Sequence, residues 1–140
     1  MNTTNSKQSI STYSPLPNIS HEKAIGTHII LEFYECLPEK LDDAPFLEQT
    51  FRQTATVMGA TILSSNFHPF SPIGASGVVI IKESHLTVHT WPEYAYAAID
   101  IFTCGELEIE KGIEYLKNSL TPKKTMRKAL VRGKIALLKP

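Results

Sequence analysis

The chain carries no surplus of charge of either sign: 14 lysines and arginines balance 14 aspartates and glutamates. A general nucleic-acid binder is normally strongly basic, so that class is disfavoured. No apolar run reaches the length of a membrane span, and the N-terminus lacks the apolar stretch of a signal peptide. Cysteine is scarce too. Cys36 and Cys104 are too few for a disulfide framework, so both are expected as free thiols in a cytoplasmic protein. No internal repeat is evident. Within the neutral total, seven basic residues from Lys123 to Lys139 crowd the last 20 positions with no acid among them. The favoured reading is a solvated edge strand whose lysines oppose aggregation, ahead of a tail that binds an anionic partner.

What is present suits one globular domain: 140 residues, 42% of them hydrophobic. Residues 1–20 are rich in Ser, Thr, Asn and Pro without periodicity, which predicts a disordered extension before a single domain over 21–140. Strands are predicted at Thr27–Cys36, Ala60–Phe67, Gly77–Lys82, Leu86–Thr90, Ala95–Phe102 and Thr125–Val131. Phe46, Leu47, Thr50, Phe51, Thr54 and Val57 keep a helical spacing, so Asp42–Gly59 reads as a helix capped by Asp42 or Asp43. Glu108–Leu120 reads as a second helix, and Pro69–Gly77 as a loop. The fold expected is α+β, a two-layer α/β sandwich with an antiparallel sheet and both helices on one face.

The segment Lys82-Glu83-Ser84-His85-Leu86-Thr87-Val88-His89 looks like a place where a chain cuts itself. The Ser84 hydroxyl can attack the Glu83 carbonyl and exchange the peptide bond for an ester. Loss of the serine α-proton then expels the Glu83 carboxylate, and hydrolysis leaves a pyruvoyl group. That ketone is an electrophile which no side chain provides. Glu-Ser alone carries no signal; its surroundings do. Upstream lie Phe67-His68-Pro69-Phe70 and Gly74-Ala75-Ser76-Gly77-Val78-Val79-Ile80. Downstream run His89-Thr90-Trp91-Pro92-Glu93 and Tyr96-Ala97-Ala98-Ile99-Asp100-Ile101-Phe102-Thr103-Cys104-Gly105.

From about Gly26 to Gly133 these strings resemble the prokaryotic-type S-adenosylmethionine decarboxylases, pyruvoyl enzymes of polyamine synthesis. The resemblance implies a proenzyme cut between Glu83 and Ser84 into a β chain (1–83) and an α chain (84–140) that bears the pyruvoyl. It implies the same two-layer architecture and a dimer whose two sites lie between protomers. It gives Ser76 the role of holding the tetrahedral intermediate, Cys104 that of proton donor in turnover, Phe70 that of stacking on adenine and Glu93 that of binding the ribose. His89 is the candidate base for the Ser84 α-proton, since neutral imidazole is available at physiological pH.

Plainer readings stand beside each of these. Ser84 is otherwise a surface serine, His89 a strand histidine, Ser76 a turn residue and Cys104 a small buried hydrophobe. Ser84 and His89 are an odd number of residues apart, so a continuous strand puts them on opposite faces. For His89 to serve Ser84, the backbone is expected to bend or bulge near the scissile bond. Glu32 and Glu35 also fall on opposite faces, and parity does not say which one meets a cationic substrate. A zinc site on His85 and His89 is disfavoured, because a strand holds them roughly 13 Å apart. Two other functions remain open: a pyruvoyl decarboxylase of ornithine or arginine, and a non-enzymatic regulatory paralogue.

Overall fold

A computed structural model of the protein describes residues 23–139. The disordered extension expected over 1–20 lies outside the described residues. Among the described residues, six strands form one fully antiparallel sheet: β1 (Ala24–Tyr34), β2 (Ile62–Pro69), β3 (Ala75–Ile81), β4 (Ser84–Trp91), β5 (Tyr96–Thr103) and β6 (Lys124–Lys134), in the order β2-β3-β4-β5-β1-β6. A four-residue helix α1 (Pro38–Leu41) was not anticipated; α2 (Ala44–Val57) and α3 (Ile109–Leu120) were.

Alternation along the strands separates the two faces of the sheet. Ile29, Leu31 and Phe33 of β1, Leu86 and Val88 of β4, and Ala97, Ile99 and Ile101 of β5 are buried together. Leu47, Phe51 and Ala55 of α2 and Ile113, Leu116 and Leu120 of α3 close this core from above. Between the two candidate caps, Asp43 is the one used: its Oδ1 accepts from the Phe46 N–H at 3.0 Å. Asp42 does something else, described below.

Three local expectations need correction. The predicted loop Pro69–Gly77 is shorter, because Ala75, Ser76 and Gly77 pair with β2 and β4 as part of β3. Ser76 is therefore a strand residue and not a turn residue. β6 runs three residues beyond the predicted end, as an edge strand whose basic side chains suit its exposure. The bend or bulge expected near the scissile bond is a tight turn at Lys82 and Glu83, but it does not bring His89 to Ser84: from Ser84 onward β4 pairs in unbroken register with both neighbours.

Among the described residues, no helix covers the second face. Its cross-strand rows are His68–Ser76–His89–Ala98–Glu32–Met126, Val78–Thr87–Asp100–Ile30–Lys128 and Ile80–His85–Phe102–His28–Leu130. Among the described residues, no helix is long and apolar enough to cross a membrane.

Leu116 is fully buried where α3 meets the core. In a Ser84→Ala background, where the chain has no hydroxyl to cut itself, Leu116→Ala should lower the unfolding free energy by about 2–5 kcal/mol. Urea denaturation followed by circular dichroism measures this.

Candidate active site

The sequence-predicted residues fall into two groups at opposite ends of β4. The first surrounds the hairpin between β3 and β4. Ile81 pairs with Ser84, so Lys82 and Glu83 form a two-residue turn. Ser84 has φ 134°, a conformation that L-residues rarely adopt. Strain of this kind is worth about 1–3 kcal/mol and persists only where the surroundings hold it. Here they do. The Cys104 N–H donates to the Glu83 carbonyl oxygen at 2.7 Å, and the Lys82 N–H donates to the Thr61 carbonyl at 2.8 Å. A donor on the Glu83 oxygen polarises the carbonyl that the serine would attack, and it would stabilise the oxyanion formed there. Cys104 itself is exposed, just past the end of β5.

The second group lies on the open face. Ser76 and His89 are cross-strand partners, with Ser76 Oγ and His89 Nδ1 2.6 Å apart. They line a shallow hollow of about 250 Å³ with Asn66, His68 and Thr87. Phe70 follows β2 at the same end and is half exposed, with its ring centroid 4.9 Å from that of His68. Its N–H donates to the Gly74 carbonyl at 2.8 Å, and the Gly74 N–H donates to Asp42 Oδ1 at 2.8 Å. Gly74 takes φ 101°, which a side chain would resist. Asp42, read from sequence as a possible helix cap, thus secures the loop that carries Phe70. Glu93 is exposed in a single turn, Pro92–Tyr94, directly after β4.

Thr90 fastens this end to the helical layer. Its hydroxyl donates to the Leu41 carbonyl at 2.7 Å and accepts from the Ala75 N–H at 2.9 Å. Sequence reasoning missed Thr90 and Thr61, because a threonine in a strand or loop is unremarkable until its cross-chain partner is known.

The two groups do not meet within one chain. Five residues of continuous strand separate Ser84 from His89 by about 16 Å, and they point to opposite faces.

Between the two groups, the open face carries polar residues in contact with one another. His28 Nε2 lies 2.8 Å from Asp100 Oδ1, and Arg132 Nη1 lies 3.2 Å from His28 Nδ1. Both contacts suit the tautomer with its proton on Nε2. Burial, with His28 and Arg132 nearby, lowers the pKa of His85 against the pull of Asp100. The parity question is answered by Glu32, which faces this surface and accepts from Tyr34 at 3.1 Å and Tyr96 at 2.5 Å. Burial first, and then this carboxylate, raises the pKa of Tyr96. Glu35 is exposed beyond β1. Among the described residues, no three His, Cys, Asp or Glu side chains gather to hold a metal ion.

Comparison with known proteins bears on this arrangement. A family described as S-adenosylmethionine decarboxylase matches residues 27–133. A protein of Thermotoga petrophila named S-adenosylmethionine decarboxylase proenzyme is 55% identical over 103 residues, 73% of this chain and 79% of that one. A protein of the same name from Pseudomonas aeruginosa is 42% identical over 110 residues, 78% of this chain and 69% of its own. The crystal structure of the adenosylmethionine decarboxylase from Aquifex aeolicus superposes with a TM-score of 0.76 at 29% identity, covering 84% of this chain and 98% of that one.

The two thiols should differ sharply in reactivity. Burial pushes Cys36 up to about 11, whereas Cys104 is exposed. Thiolate is the reactive form, so Cys36 has almost none below pH 9. Iodoacetamide at pH 8 should label Cys104 and leave Cys36 unmodified, as read by peptide mass spectrometry.

Proposed function

Because this chain belongs to the S-adenosylmethionine decarboxylase family, we propose that it cuts itself between Glu83 and Ser84 and completes each active site across two protomers. The reaction is decarboxylation of S-adenosylmethionine, which supplies the aminopropyl donor of spermidine synthesis. One observation carries the shared-site reading. Ser84 and Cys104 lie at one end of the sheet and Ser76 and His89 at the other, on a strand with no bulge to unite them. A second copy related by a two-fold axis, facing the open surface, brings the first group of each chain against the second group of its partner. Such a pairing also covers Ile80, Trp91, Met126 and Leu130, which one chain leaves exposed.

The residues at the hairpin fit a serine that becomes a pyruvoyl group. Ser84 is held in a strained turn, and the carbonyl it would attack already accepts a hydrogen bond. The Ser84 hydroxyl attacks, the oxyanion rests on the Cys104 N–H, and the Ser84 nitrogen leaves as an amine, which gives an ester. The partner's His89 then takes the Ser84 α-proton. With Nδ1–H donating to Ser76 Oγ, the lone pair on Nε2 is free to act as that base. The main-chain carboxylate of Glu83 departs as the new C-terminus of the first fragment, and water releases ammonia from what remains of Ser84. A pyruvoyl group formed at Ser84 would supply a ketone electrophile for the substrate amine and a sink for the electrons left behind by carbon dioxide. Cys104, beside it and open to solvent, delivers a proton to the substrate α-carbon. Phe70 stacks on the adenine and the Glu93 carboxylate accepts from the ribose hydroxyls. Two free thiols are at home in a reducing cytoplasm.

Three measurements test this. The purified protein should resolve into fragments 1–83 and 84–140 by intact mass, while Ser84→Ala stays whole. His89→Ala and Ser84→Ala chains, each uncut alone, should complement when co-expressed with different tags. Only the His89→Ala chain should then be cut, since its Ser84 meets the partner's His89. Failure of both chains to cut would put the whole site in one protomer. Phe70→Ala and Glu93→Gln should each lower kcat/KM for S-adenosylmethionine by roughly one to two orders of magnitude and leave processing intact. Carbon dioxide release from ornithine or arginine that ignores Glu93→Gln would point to a different substrate.

A further inference from the structure

The side chain of Glu83 has an observed job that cleavage chemistry alone does not require. Only its main-chain carbonyl takes part in the acyl shift. Yet the Glu83 carboxylate accepts from the Thr61 N–H with both oxygens, at 2.9 and 3.3 Å. The same Thr61 offers its carbonyl to the Lys82 N–H at 2.8 Å. Thr61 therefore grips the hairpin turn twice, once through the main chain and once through the Glu83 side chain.

Gly105 forms a second wall. A Cβ placed there would lie 3.3 Å from Glu83 Cγ, so glycine leaves the side chain room to pass. Next to Gly105, the Cys104 N–H holds the Glu83 carbonyl oxygen at 2.7 Å. The residue is thus held at both ends: carboxylate on the segment before β2, carbonyl on the segment after β5. Between these two points lies the strained Ser84 junction, with φ 134°. A two-residue turn free to swing would relax that strain and withdraw the carbonyl from its donor.

We propose that Glu83 is a positioning residue for self-cleavage, its carboxylate anchored on the Thr61 amide so that the scissile carbonyl stays on the Cys104 N–H while Ser84 remains strained. This rests on the self-cleaving reading above and adds a requirement at the position before the serine. The required side chain is a hydrogen-bond acceptor two methylenes from the backbone. Charge strengthens the bond, but length decides whether it forms.

Substitutions that separate length from charge test it. Glu83→Gln keeps the length and an acceptor, and should cleave within about threefold of wild type. Glu83→Asp keeps the charge but is one methylene short, and Glu83→Ala has neither; both should cleave at least about tenfold more slowly. Paired with His89→Ala, where cleavage is held at the ester, Glu83→Asp should also reduce the fraction of chain that hydroxylamine splits. A side chain needed only for folding would not produce this pattern, and the melting temperatures of the same variants in a Ser84→Ala background should agree. Glu83→Asp or Glu83→Ala cutting as fast as wild type overturns the anchor, and so does Glu83→Gln cutting as slowly as Glu83→Ala. If the wild type itself never cuts, the self-cleaving reading fails first, which is a distinct result.

Discussion

The unbroken ladder of β3, β4 and β5 sets the distances on which everything else depends. A strand paired on both sides cannot shorten or turn without losing hydrogen bonds, so Ser84 and His89 are held apart as firmly as the sheet itself is held together. In the proposed enzyme that rigidity splits the chemistry into a cleavage end and a base end. It also makes self-association a chemical requirement in the proposed enzyme. A proenzyme built this way would not cut itself until it has met a second copy, and the timing of maturation would follow assembly.

The open face must then tolerate being covered. Charged groups withdrawn from water are costly unless they are paired. The structure arranges partners in advance: His28 on Asp100, Arg132 on His28, and Glu32 on two tyrosine hydroxyls. Tyr34, Tyr96 and Trp91 stack beside this carboxylate with ring centroids 5.3 and 5.4 Å apart. Such a surface mixes apolar area with satisfied polar groups, which suits an interface better than permanent solvent. The edge strand β6 adds Lys124, Lys128, Arg132 and Lys134, all exposed, whereas Arg127 turns to the helical side and pairs with Glu110.

Support for the site comes from outside it as well. Thr90 ties β3 to α1, Asp42 ties the Phe70 loop to the end of α1, and Thr61 ties the Glu83 turn to the segment before β2. Each is a bond between segments distant in sequence. Each fixes one group of the constellation without touching substrate. The fold's contribution to chemistry is therefore mainly one of holding short, irregular segments against a rigid sheet.

Much was legible in the chain alone. The β-rich apolar run from Thr27 to Cys36, the helical spacing from Phe46 to Val57, and the string around Glu83–Ser84 pointed to the first strand, the main helix and the family, because each is a local pattern with a local physical cause. The same string singled out Ser84 and Cys104 as candidates, whereas the exposure of Cys104 follows from its place past the end of β5. Strand pairing was not local, and so its consequences were hidden. The bend expected near Ser84 is there as the Lys82–Glu83 turn, yet it does not bring His89 within reach, because the ladder from Ser84 to His89 runs straight and the two stay apart. Sequence reasoning read Ser76 as a possible turn residue, whereas pairing with β2 and β4 makes it a strand residue facing His89. Which of Glu32 and Glu35 faces the open surface was likewise decided only when β1 found its neighbours. The chain determined which groups are present and on which alternating face of its own strand each lies. Only the tertiary structure decided which groups share an end of the sheet, because that depends on register between strands far apart in sequence.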